Sequence, residues 1–133
     1  LLALSLPLGL FAPAVAQDVR LTVELNKLED AEGTCRSYFL FRNPSDTAFA
    51  EFEMALAIMD PEGVIDQLLT IDAAPVPAGR TTLKLFEIPG RACAAVGELL
   101  LHDIAACRPQ NAEPIDCFEV IELRSRASAA LVK

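Results

Sequence analysis

The chain has 133 residues, with 11 Lys and Arg against 19 Asp and Glu, a formal net charge of −8 at pH 7. That balance excludes the basic footprint that nucleic-acid binding requires; acidity alone implies solubility and at most a basic partner. The length suits one domain around one hydrophobic core and leaves no room for a second.

The uncharged apolar run Leu1 to Phe11, broken by Pro7 and Gly9, leads through Pro13 into Ala14-Val15-Ala16. This pattern reads as a secretory h-region ending in an A-x-A cleavage site. Residues 1–16 are therefore expected to be a signal peptide and residues 17–133 a single β-sandwich domain beginning at Gln17. A membrane span needs about 20 consecutive apolar residues, and this run is too short and too interrupted. Neither an initiator Met nor a positive n-region precedes it, so the leader reads as partial, and the part that distinguishes twin-arginine from general secretory export is missing. No Cys follows the cleavage site, which argues against a lipid anchor and against membrane insertion after cleavage. Arg outnumbers Lys eight to three amid abundant Ala and Leu, a bias associated with GC-rich bacterial genomes. With the leader, it points to a periplasmic location, with secretion as the alternative.

From Val19, apolar Val19, Leu21, Val23 and Leu25 alternate with Arg20, Thr22, Glu24 and Asn26, the period of a strand with one buried face. Residues 29–33 read as a polar turn. In the run Thr34 to Asn43, Cys35, Ser37, Phe39 and Phe41 are expected inward, with Arg36, Tyr38, Leu40 and Arg42 on the other face. Asn43-Pro44-Ser45-Asp46 is a turn signal, since Pro fixes φ and its neighbours can bond their own backbone. A third strand, Phe49 to Met59, turns Phe52, Met54, Leu56 and Ile58 to one side and Glu51, Glu53, Ala55 and Ala57 to the other. Asp60-Pro61-Glu62-Gly63 fits a type I turn leading into a fourth strand, Val64 to Ile71.

Pro75-Val76-Pro77-Ala78-Gly79 must be a connection, because Pro lacks the ladder donor. Thr81 to Ile88 is the fifth strand, residues 90–97 host a short helical turn, and Gly97 to Cys107 is the sixth. After the polar loop Pro109 to Asp116, Phe118 to Leu123 is assigned as a seventh strand. Ala129 to Val132 is either an edge strand or a frayed end. This series predicts an all-β fold, an immunoglobulin-like antiparallel β-sandwich of about seven strands.

Four cysteines, Cys35, Cys93, Cys107 and Cys117, allow three pairings, and sequence alone does not select among them. A bridge from Cys107 to Cys117 needs only a hairpin-like return across the loop, so it is preferred, leaving Cys35 with Cys93. Export favours structural disulfides. The smallest Cys spacing is ten positions, far from the close pairs of zinc or redox sites.

The single histidine, His102, precedes Asp103, but neighbours in a strand point to opposite faces and cannot act together without a bulge. With His102 outward, Asp103 is expected inward, needing a partner. No Gly-x-Ser-x-Gly elbow exists, and Ser37, Ser45, Ser125 and Ser128 lack an evident base. Glu51 and Glu53 read as a solvated strand face, and Asp60, Glu62 and Asp66 do not match calcium-loop spacing. No catalytic residue, cofactor or metal is assigned. The candidate partner-binding face is Arg36, Tyr38, Leu40 and Arg42, since Tyr and Arg are enriched at binding hot spots. The tail Ala129 to Val132 is a second candidate, able to add a strand to a partner sheet.

Three segments, Leu25 to Arg36, Ala78 to Lys84 and Arg124 to Ala129, resemble uncharacterised exported proteins of alphaproteobacteria labelled by a Tat-pathway signal sequence. The resemblance covers most of the chain after the leader and implies an envelope location, with no mechanism attached. The function expected is a non-enzymatic module that binds another envelope protein or assists its assembly. A small-ligand or metal-binding carrier is the alternative, and oligomeric state is left open.

Overall fold

Alternation of apolar and polar residues becomes two facing sheets in the computed structural model, which describes residues 2–10 and 19–133. The expected cleavage site at Ala14-Val15-Ala16 and the boundary at Gln17 lie outside the described residues. Residues 2–10 form neither helix nor strand and are exposed.

Eight strands are present among the described residues: β1 (Leu21–Ala31), β2 (Thr34–Asn43), β3 (Phe49–Met59), β4 (Ile65–Asp72), β5 (Arg80–Pro89), β6 (Glu98–Pro109), β7 (Ile121–Ser125) and β8 (Ala130–Val132). A 3₁₀ turn at Cys93–Ala95 falls within the segment predicted to host one. Sheet A has the order β5-β2-β1-β7 and sheet B the order β4-β3-β6-β8. The groupings β1-β2-β5 and β3-β6 match the A-B-E and C-F groupings of immunoglobulin sandwiches.

Burial follows the predicted parity. Leu21, Val23 and Leu25 on β1, Cys35, Phe39 and Phe41 on β2, and Phe52, Met54, Leu56 and Ile58 on β3 are all buried. Phe41 and Phe52 cross between the sheets edge to face, with centroids 6.2 Å apart. Phe39, stacked beside Phe41, and Phe49, edge-on to Phe52, extend this aromatic spine along the core.

Two turns position the sheets. Asn43, buried at the end of β2, donates its amide to Thr47 O at 2.8 Å and Pro77 O at 3.1 Å. One side chain thus ties the β2–β3 connection to the β4–β5 connection, two of the crossings between the sheets. The turn after β3 forms as predicted, with Gly63 N donating to Asp60 O at 3.0 Å.

Four expectations are corrected. The sandwich is not purely antiparallel: β7 runs parallel to β1, and β8 parallel to β6. The predicted seventh strand begins as a helical turn, α1 (Cys117–Val120), because the Asp116 carboxylate caps it by accepting from Phe118 N and Glu119 N. The turn expected over residues 29–33 shrinks to its last positions. A bulge at Asn26 resets the parity of β1, so the strand continues to Ala31 with Leu28 packed on the core. Finally, Asp103 does not point inward. His102 is a bulged residue between the pairs Leu56–Leu101 and Ala55–Asp103, and both His102 and Asp103 are exposed.

Candidate functional site

The outer face of sheet A is built by the register of three strands. On β2, the odd positions are buried and the even ones project outward, placing Arg36, Tyr38, Leu40 and Arg42 in one row, half-buried. Against Tyr38 and Leu40, β5 sets Leu85 and Leu83 as direct cross-strand partners. These two leucines are 48% and 55% exposed, so no other element among the described residues covers them. Their strand departs from the ordinary pattern at one point: Phe86 and Ile88 face the core, whereas Lys84, of the same parity, donates to Ala74 O at 3.4 Å while the two leucines face solvent. Leu83 and Leu85 extend the candidate face beyond the four residues of β2, and their spacing of two is the trace they leave in the sequence.

One end of this apolar centre is rimmed by a charge network. Arg36 Nε donates to Glu87 Oε1 at 2.9 Å, and its guanidinium lies 3.7 Å from Glu29. Tyr38 donates its hydroxyl to Glu29 Oε1 at 3.0 Å, and Lys27 Nζ sits 5.3 Å above the Tyr38 ring. The Lys27 ammonium and then the Tyr38 hydroxyl hold the Glu29 carboxyl below its ordinary range. Arg36 does the same for Glu87. Tyr38 is therefore fixed in orientation before any partner arrives, which lowers the entropy lost on contact.

At the other end stands Glu24, an outward position by parity that is nonetheless buried. Its carboxylate accepts from Asn26 Nδ2 at 2.9 Å, and from Arg42 and Arg126, each at 3.3 Å. The Asn26 hydrogen bond, followed by the arginines and outweighing desolvation, lowers its pKa. Arg42 is thus partly neutralised by its own sheet. A depression of about 360 Å³ beside it is lined by Thr22, Arg42, Asn43, Gly79, Arg80 and Thr81.

Both disulfides exist, in the preferred pairing. Cys35 on β2 joins Cys93 with Cα atoms 4.8 Å apart, and Cys107 on β6 joins Cys117 at 6.5 Å. The first pins the 3₁₀ turn to sheet A, where the Asp30 carboxylate also accepts from Cys93 N at 2.7 Å. The second ties α1 to sheet B. An immunoglobulin-type bridge between the B- and F-position strands, here Cys35 to Cys107, is not made.

Glu51 and Glu53 lie on the outer face of sheet B, where Arg108 pairs with Glu51 at 3.6 Å. Asp66 forms a bidentate ion pair with Arg91. Asp60 serves its turn, accepting from Glu62 N and Val64 N. Among the described residues, no three His, Cys, Asp or Glu side chains converge in metal-binding geometry, and no helix is long and apolar enough to cross a membrane. The tail strand β8 is an edge strand rather than a frayed end: it pairs with β6 on one side, and Leu131 is buried.

No protein family's sequence model matches the chain, and no curated protein matches it. Among solved structures it is similar to IrmA from Escherichia coli, with a TM-score of 0.59 and 15% sequence identity, over 79% of this chain and 91% of that one. At that identity the likeness shows a shared β-sandwich fold and nothing of function.

Proposed function

We propose that this chain is an exported, periplasmic, non-enzymatic β-sandwich that binds another envelope protein through the outer face of sheet A. The observation that carries this reading is the uncovered cluster of Tyr38, Leu40, Leu83 and Leu85 inside a rim of paired charges. An apolar centre with a polar, hydrogen-bonded rim is the anatomy of a protein interface. Two disulfides suit a domain that works in an oxidising compartment. The carrier alternative has less behind it, because no convergent set of metal-ligating side chains is found among the described residues.

A photo-crosslinking residue in place of Leu83, in protein expressed and exported in its own cell type, tests the reading. It should capture one envelope protein, whereas the same residue in place of Glu62, on a turn of the other sheet, should not. Adding Tyr38→Ala should abolish the adduct. No adduct, or the same adducts from both positions, would overturn it.

A further inference from the structure

Four strands end the two sheets, and they are protected unequally. Natural proteins shield such edges with shortness, inward-pointing charges, lysines or prolines. β7 and β8 are short, and β5 carries the inward-pointing Lys84 and terminates at Pro89. β4 carries a bulge and a paired charge at Asp66 near its start, but over Leu68-Leu69-Thr70-Ile71 it has none of these devices and, among the described residues, pairs to β3 on one side only. Its outward side chains Ile65 and Leu68 are 59% and 65% exposed.

We propose that the free edge of β4 accepts an extended, cationic segment of a partner protein as a fifth strand of sheet B. This is a second surface, independent of the sheet A face. Backbone pairing supplies affinity in such strand addition, and flanking side chains supply selectivity. Leu68 continues into an apolar row across the sheet, through its partner Ala57 to Leu100 and then Val132. A partner's apolar side chain beside Leu68 would extend that row.

Charge decides the occupant. Glu53 and Asp72 are direct cross-strand partners, an arrangement of like charges that is unfavourable unless a cation intervenes. Asp103 stands beside them, opposite Ala55. None of the three is ion-paired among the described residues. The cations near sheet B are already paired to other carboxylates, Arg108 to Glu51 and Arg91 to Asp66, while Arg36, Arg42, Arg124 and Arg126 belong to sheet A. A second copy of the chain would bring another acidic sheet B, and another −8, to the same edge. A lysine- or arginine-bearing strand instead neutralises the Glu53–Asp72 pair.

The probe is a short capped peptide alternating lysine and valine, fluorescently labelled, titrated against the full chain by anisotropy; a glutamate–valine counterpart serves as control. The cationic peptide should bind saturably, with amide NMR shifts confined to β4 and its neighbours on β3. Leu68→Lys, and separately the pair Glu53→Gln with Asp72→Asn, should each weaken binding by about tenfold, the scale of one lost charge-assisted contact. All these positions are at least partly solvent-exposed, so folding is retained and is checked by the unchanged spectrum of the core. Absence of saturable binding, shifts on β2 and β5 instead, or equal binding by all variants overturns the proposal. Self-association in sedimentation that Leu68→Lys abolishes would assign the edge to a second copy and overturn it as well.

Discussion

Glu24 and Arg126, 102 residues apart in sequence, meet on the outer face of sheet A, with Nε donating to Oε1 at 3.3 Å. The contact closes the chain on itself: Arg126 follows β7, whose parallel pairing with β1 is the last addition to the sheet. Arg126 also anchors by its backbone, donating N–H to Leu25 O at 2.9 Å. Because the Arg126 side chain is 72% exposed and that of Glu24 only 4%, the two partners respond differently to removal. Without Glu24 the arginines return to water; without them Glu24 is left a buried, under-paired carboxylate. Arg42→Ala combined with Arg126→Ala should therefore cost about 2–3 kcal/mol, and Glu24→Gln about 1–2 kcal/mol. Urea denaturation of both variants and their combination checks this, and strict additivity would show that the groups do not couple.

Acid should unfold the protein through the same carboxylates. Glu24, Glu29 and Glu87 all lie below their ordinary value of 4.5 in the folded chain. In the unfolded chain they take up protons more readily, so their contribution is fully present above about pH 4.5 and is lost as pH falls further through the lowered folded values. Glu29 and Glu87 are substantially exposed and screened by solvent, which leaves Glu24 as the main contributor. Denaturation midpoints measured from about pH 6 down to about pH 3 should fall below pH 4.5, and Glu24→Gln should fall less steeply. Parallel curves for the two proteins would remove Glu24 from this account.

The two disulfides should differ in worth. Their sequence separations are 58 and 10, so opening Cys35–Cys93 frees a much larger loop in the unfolded chain than opening Cys107–Cys117. By chain entropy the difference is about 1.5 kcal/mol in favour of the longer bridge. Cys35→Ala with Cys93→Ala should lower the melting temperature more than Cys107→Ala with Cys117→Ala. Intact mass of the oxidised protein should lie four hydrogens below that of the reduced chain.

Much of this fold was legible because alternation reports which face a residue occupies. Cys35, Phe39 and Phe41 could be placed inward from parity alone. Parity does not report direction or partner, which is why the parallel pairings of β7 and β8 were not foreseen. It also fails at an inserted residue: the bulge at His102 sends Asp103 outward, and the one at Asn26 carries β1 beyond its predicted turn. The helical turn α1 did leave a local trace, Asp116 followed three residues later by Glu119, the spacing of a capping box. The burial of Glu24 left none, since Arg126 comes from the far end of the chain. The row Arg36, Tyr38, Leu40 and Arg42 was readable as one face, but its continuation into Leu83 and Leu85 depended on the β2–β5 register.

Phe41 and Leu83 offer a paired test of inside and outside. Phe41 is fully buried and contacts Phe39 and Phe52, so Phe41→Ala should cost about 3–5 kcal/mol. Leu83→Ala removes a side chain that is already 55% exposed and should change stability by less than about 1 kcal/mol. Chemical denaturation of the two variants side by side decides whether the faces of sheet A are assigned correctly.

Gly97 is required for a reason unlike that of the turn glycines. Gly33 has a φ of 76° and open space around it, so a side chain there meets backbone strain alone. Gly97 lacks a positive φ, but a Cβ on it would lie 2.5 Å from Asp60 O and 2.7 Å from Pro61 Cα. Those atoms belong to the turn after β3, which Gly97 N also holds by donating to Met59 O at 2.8 Å. Because the obstruction is backbone, no rotamer change relieves it, and the turn or the start of β6 must shift. Gly97→Ala should destabilise by about 1–3 kcal/mol, as overpacking of a closed site does. Gly33→Ala should cost about 1 kcal/mol, from the left-handed conformation alone. Amide exchange separates the mechanisms: Gly97→Ala should expose the amides of Gly63 and Val64, whereas Gly33→Ala should loosen only the β1–β2 turn. Unchanged exchange at Gly63 in the Gly97 variant would mean that the turn accommodates the methyl group without moving.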